Sequence, residues 1–148
     1  MKIKVVWIGK TKEPAVQSLT EKYMEWLGRY ADAESVVLKD EAALLNLSGK
    51  SVRPRDKHTL VLLDERGKQF SSEELAKFLR EYQMRNPLPL LFAVGPANGF
   101  SEETRKAATL ILSLGKMTLA HELARVVLLE QLYRAFTILK SHPYHLGH

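Results

Sequence analysis

Four short apolar runs set the terms for this chain: "IKVVWIG" at 3–9, "SVVLKD" at 35–40, "TLVLLDE" at 59–65 and "LPLLFAVG" at 88–95. Each is rich in Val, Ile or Leu and stops at turn or charged residues, as a strand covered on both faces does. Helical patterns separate them. Residues 14–31 carry Val16, Leu19, Tyr23, Trp26 and Leu27 on one stripe, and residues 72–85 are opened by Ser71 with Glu74 three places on, a capping box. The order β, α, β, α-like, β, α, β predicts an α/β fold with a mostly parallel, buried sheet flanked by helices on both faces. A fifth strand is expected in "ATLILSLG" at 108–115, after a short helix from Ser101 with Glu102 and Glu103 at its N-terminus. The longest helix is expected over about 120–140, with apolar residues on both faces, so it should bury against the sheet and a second subunit. Residues 41–57 are the least decided segment. With 148 residues, 45% of them hydrophobic, and no repeat or linker, the chain reads as one domain over 1–148.

Composition removes several chemistries. No cysteine means no disulfide, thiolate nucleophile or thiolate zinc site. No apolar stretch approaches the roughly 20 residues of a membrane span, and the N-terminal apolar run is too short for a signal peptide, so the cytoplasm is the expected compartment. A net charge of +5 suits a polyanionic partner such as RNA, although charge alone fits an ordinary basic protein equally well.

Counting excludes the common phosphate, metal and hydrolase motifs. "SGKS" at 48–51 has the end of a P-loop, but the first glycine would fall on Leu44. "HELAR" at 121–125 places Arg125 where a zinc protease needs its second histidine, so the two-ligand zinc face is missing. "GPANG" at 95–99 lacks the dinucleotide spacing, and no Gly-x-Ser-x-Gly occurs. In a parallel sheet, ligands bind beyond the carboxyl ends of the strands, where Leu63-Asp64, Gly95-Pro96 and Leu114-Gly115 converge. Glycines there let backbone approach a ligand closely. Taken alone, a ligand crevice and three ordinary turns remain open alternatives.

The segments "LDERGKQFSSEELA", "FAVGPANGFSEE", "LSLGKMTLAHELARVVLLEQLYRAF" and the terminal "HPYH", with "MKIKVVWIGKTKE" at the start, resemble the RlmH family of SPOUT RNA methyltransferases over essentially the whole chain. The resemblance implies an α/β knot, whose C-terminal part threads a trefoil, and a homodimer. It implies S-adenosyl-L-methionine bound by three loops, carried here by Leu63, by Gly95, and by the run Leu114, Gly115, Lys116, Met117, Thr118 and Leu119. The implied reaction is methylation of N3 of a pseudouridine in 23S rRNA of the assembled 70S ribosome, with no metal and no membrane. His121, Arg125, Tyr144 and His145 are the candidates for contacts at the nucleoside. A histidine titrates in the range of a general base, and an aromatic tail can stack on a splayed base. Lys10, Lys12, Arg53, Arg55 and Lys57 are candidates for ribosomal phosphate. The chain departs from the family pattern at Pro96, Gly115 and Ala120, where a glycine, a serine and a proline are usual. Ala97 and Asn98 are alternative backbone donors to the position of Pro96. A basic RNA- or ribosome-binding module that keeps the fold without catalysis is the alternative function.

Overall fold

The computed structural model describes residues 1–49, 52–96 and 98–147. Lys50 and Ser51 of the "SGKS" segment, Ala97 of the Gly95 loop, and His148 lie outside the described residues. The elements follow as β1 (Lys2–Ile8), α1 (Pro14–Leu27), β2 (Asp32–Leu38), α2 (Glu41–Ser48), a 3-10 turn (Pro54–Asp56), β3 (Thr59–Gln69), α3 (Ser72–Arg85), β4 (Leu90–Val94), α4 (Glu102–Ala107), β5 (Leu110–Ser113) and α5 (His121–Leu139). The five strands form one sheet in the order β2-β1-β4-β3-β5, and every recorded pair is parallel. The absence of alternation in the apolar runs has its cause here. Ile3, Val5, Trp7, Val61, Leu63, Phe92 and Val94 pack under α1, α3 and α5, while Val6, Leu60, Leu62, Leu91 and Ala93 pack against α2, α4 and Phe100 on the other face.

Three boundaries differ from expectation. Helix α1 stops at Leu27, and β2 starts at Asp32 instead of residue 35, because its ladder with β1 runs from Lys2↔Asp32. Polar residues are tolerated on this edge strand, where Lys4 and Glu34 face each other and pair at 3.0 Å. The undecided segment opens with α2, capped by Asp40, whose side chain accepts from Ala43 N–H at 3.0 Å. Strand β3 continues to Gln69, beyond the predicted end at 65. Its register against β5 breaks between Leu63 and Lys68, both of which face Leu112. Residues 64–67 are thereby displaced from the ladder at the carboxyl end of the sheet. Gly67 makes the return possible, since a Cβ there would lie 2.6 Å from the carbonyl oxygen of Ile111.

After β5, at one edge of the sheet, the chain crosses the ends of β3 and β4 and enters α5 beside β1. Glu122 in the first turn of α5 accepts from the backbone N–H groups of Lys12 and Glu13 at 3.0 and 3.1 Å. Helix α5 then packs against α1 and α3, burying Leu128, Leu129, Leu132 and Phe136. Among the described residues, no helix is long and apolar enough to cross a membrane.

Candidate active site

The crossing loop roofs a cavity of about 730 Å³ over the ends of β3, β4 and β5. Leu63, Gly95, Leu114, Gly115, Met117, Thr118 and Leu119 all line it, so three segments far apart in sequence meet there. Lys116 is exposed and does not line it. Asp64 and Pro96, read from the sequence at the strand-end crevice, line it as well, and Glu65, Arg66, Val94 and Gly99 contribute further wall that sequence reasoning did not assign. The signal for the charged triplet was present in "LDERG", where three charges and a glycine follow a fully apolar strand. Nothing in periodicity reveals the register break that turns them into the cavity.

Local chemistry fixes each loop. Gly99 N–H donates to the Pro96 carbonyl at 2.9 Å, closing a tight turn with Gly99 at φ 79°. Gly95 is required from behind: an added Cβ would lie 2.7 Å from Phe100 Cε2. At Gly115, φ is 141°, a conformation that strains other residues, so a serine would fit poorly in this loop shape. Ser113 Oγ accepts from Gly115 N–H at 3.1 Å and donates to the Gly115 carbonyl at 2.8 Å. Ala120, at φ −54°, lies in the range proline itself adopts, so this departure leaves the backbone course unchanged. Thr118 Oγ1 donates to Glu65 Oε2 at 2.5 Å, fastening the crossing loop to the end of β3.

The four candidates for nucleoside contacts do not gather in one chain. His121 lines the cavity and is exposed. Arg125 faces elsewhere and is fully buried, with its guanidinium 5.2 Å from the Trp7 ring centroid. It donates to Thr11 Oγ1 at 3.0 Å and to the carbonyls of Ile8 and Gly9 at 3.4 and 3.2 Å. Burial pushes its pKa down and the neighbouring Glu122 carboxylate pulls it back up, the burial effect being larger. Arg125 thus anchors the loop after β1, while Glu130 on the same helix pairs with Arg134 at 2.9 Å.

The tail folds onto the far half of α5. Tyr144 meets Tyr133 edge-on at 4.9 Å, its ring lies 5.0 Å from the Arg134 guanidinium, and its hydroxyl donates to Glu130 at 3.5 Å. Burial foremost, then the Glu130 carboxylate, push its phenol pKa up to about 12. His145 bridges Arg134 Nη1 at 3.0 Å and Glu73 Oε1 at 2.7 Å. His121 and Arg134 are thirteen helical residues apart, about 20 Å along the axis, so the tail is remote from the cavity of its own chain. Between α1 and α5 runs a second, apolar groove of about 220 Å³, formed by Leu19, Tyr23, Val126 and Val127 among others. Among the described residues, no group of three or more metal-ligating side chains occurs.

Comparison with known proteins agrees with this architecture. A family model described as "Predicted SPOUT methyltransferase" matches residues 1–145. A protein of Koribacter versatilis named "Ribosomal RNA large subunit methyltransferase H" is 56% identical over 148 residues, covering all of both chains. A protein of the same name from Geotalea daltonii is 40% identical, over 98% of this chain and 99% of that one. Among solved structures, a probable methyltransferase from Bordetella pertussis superposes with a TM-score of 0.56 at 12% identity, over 91% of this chain and 94% of that one. A probable methylase family protein from Haemophilus influenzae gives 0.56 at 13%, over 98% and 69%, and both likenesses speak to the fold alone. With a five-stranded parallel sheet, a cavity at its strand ends and full-length relatives of this kind, the chain belongs to the SPOUT methyltransferase family, in the RlmH group.

Proposed function

We propose that this chain is an S-adenosyl-L-methionine-dependent methyltransferase acting on N3 of a pseudouridine in 23S rRNA, as a homodimer on the assembled ribosome in the cytoplasm. The observation that carries the reading is the cavity, because the segments that resemble the family's donor loops line one space of about 730 Å³. That volume is in the range of small-molecule sites. Its walls fit the donor's chemistry: Leu63, Val94, Leu114 and Leu119 offer apolar cover for a purine, and the loops at Gly95, Gly99 and Gly115 bring backbone close to it. The family's trefoil knot is the natural reading of a chain that crosses the ends of β3 and β4 before entering α5.

S-adenosyl-L-methionine, when bound, supplies a methyl carbon already activated by its sulfonium. The chain's own task is to orient the acceptor imide and to help N3 lose its proton. His121, at the cavity and exposed, is the group of this chain best placed to take that proton. Arg125 holds the loop carrying Lys10 and Lys12 beside the first turn of α5, where cations can meet RNA phosphate. Tyr144 and His145 lie on the far half of α5, so a second copy docked on the apolar α1–α5 groove is what would bring a tail to a cavity.

The decisive experiment is mass spectrometry of 23S rRNA from a deletion strain. Loss of one methyl on a pseudouridine, restored by the wild-type gene, is expected; unchanged methylation refutes the assignment. Calorimetry with S-adenosyl-L-methionine separates the non-catalytic alternative, which predicts no binding up to millimolar donor.

A further inference from the structure

The register break in β3 leaves Asp64, Glu65 and Arg66 on the cavity wall. The Asp64 side chain is 8% exposed and is gripped by two arginines. Arg105 from α4 donates to Oδ2 at 2.5 Å. Arg66 donates its backbone N–H to Oδ1 at 2.8 Å and approaches with Nε and Nη2 at 3.4 and 3.5 Å. Burial raises the Asp64 pKa, but the Arg66 N–H and the two guanidiniums outweigh it, so the carboxyl titrates below its ordinary range and stays charged. Asp64 is shared between the two guanidiniums, and Glu65 and Glu102 add negative charge near Arg66, so the cluster sets charges of both signs at the cavity. Arg105 is largely covered at 19% exposure, whereas Arg66 is 70% exposed. Asp64 occupies the Nε and Nη2 edge of Arg66, and Nη1 has no hydrogen-bond partner among the described residues.

We infer that Arg66 receives the α-carboxylate of the methyl donor's amino-acid end, with Asp64 holding the guanidinium in position. The inference rests on the donor-binding reading of the cavity given above. Leu63 and Arg66 are three strand residues apart, at most about 10 Å, a span suited to one nucleoside carrying a short side chain. A guanidinium fork is matched to a carboxylate and, once held on one edge by Asp64, loses little freedom on binding. The neighbouring residue supports an amino acid over an RNA phosphate. Glu65, tied to Thr118, sets a carboxylate beside Arg66. Opposite charges side by side suit a zwitterion, whereas a phosphodiester would meet repulsion from Glu65.

The test compares binding of S-adenosylhomocysteine with that of methylthioadenosine, which keeps the adenosine and sulfur but lacks the amino-acid end. Calorimetry on the wild-type protein, Arg66→Gln and Arg66→Lys is paired with thermal melts to verify folding. Arg66→Gln should weaken S-adenosylhomocysteine about tenfold and leave methylthioadenosine unchanged, with Arg66→Lys in between. Unchanged affinity for S-adenosylhomocysteine, or equal weakening of both ligands, overturns the inference. Unchanged donor binding with a raised KM for ribosomes also overturns it and assigns Arg66 to RNA phosphate. If the wild-type protein binds neither ligand, the donor-binding reading itself fails, and the inference with it.

Discussion

Replacing Gly95 with alanine should damage the protein through Phe100 before it touches any ligand. An alanine Cβ at 95 would stand 2.7, 2.9 and 3.1 Å from Cε2, Cζ and Cδ2 of the Phe100 ring, where ordinary contact begins at 3.4 Å. The ring must retreat by several tenths of an ångström, and it has little room, being 8% exposed and packed in the cluster with Leu44, Leu62 and Ala93. Overpacking of this kind costs about 1–3 kcal/mol, which for a chain of this size lowers Tm by about 2–4 °C per kcal/mol. The argument is tested by a double-mutant cycle. Phe100→Leu removes the ring edge that the new methyl would strike, so Gly95→Ala in that background should cost less than about 0.5 kcal/mol, giving a coupling of at least about 0.5 kcal/mol. Urea denaturation of the four proteins supplies the numbers. Equal cost of Gly95→Ala in both backgrounds would show that Phe100 is not what demands the glycine. Donor affinity measured on the relieved double variant then separates the packing role of Gly95 from any backbone contact with ligand.

Arg125→Ala should destabilise the fold by about 2–4 kcal/mol, since it strands the Ile8 and Gly9 carbonyls and opens a cavity beside Trp7. Amide exchange at Lys10–Glu13 should rise by more than the global loss alone gives; a uniform rise across the chain would refute the anchoring role. Asp64 provides a pH signature. Its carboxyl titrates below the ordinary value near 3.9, so the stability it contributes is present above that pH and is lost as pH falls through the lower folded value. The stability gap between wild type and Asp64→Asn should therefore be constant from pH 7 to about 5 and shrink below about pH 4; a gap that persists to pH 2 contradicts the charged pairing.

Much of the fold was legible because burial leaves a mark on composition. The runs at 3–9, 59–65 and 88–95 do not alternate, and helices cover both of their faces in the sheet. The Ser71–Glu74 box forms in both directions, at 3.0 and 2.8 Å, as its spacing predicts. Ser101 likewise opens α4. What escaped depends on long-range pairing. The early start of β2 is set by the ladder with β1, and the length of β3 by β5, which local pattern cannot express. Arg125 lies four residues after His121, a spacing that by itself places both on neighbouring positions of one helix face. The backbone of β1 instead drew the longer side chain inward, while the shorter one stayed at the cavity.

The same geometry explains why the cavity and the tail separate so cleanly in this chain. A parallel sheet delivers every strand end to one edge, so three loops remote in sequence converge without any one of them being long. The crossing from β5 to α5 closes that convergence and is pinned at both ends, by Thr118 on Glu65 and by Glu122 on the Lys12 and Glu13 amides. The cavity is therefore lined by loops of a single chain. The tail has no such route, because α5 carries it about 20 Å away and His145 fastens it to Glu73 and Arg134. On the proposed function, a catalytic unit that uses both would draw the cavity from one copy and the tail from another, and the α1–α5 groove, where Leu19 is 39% exposed, offers an apolar surface that would join them.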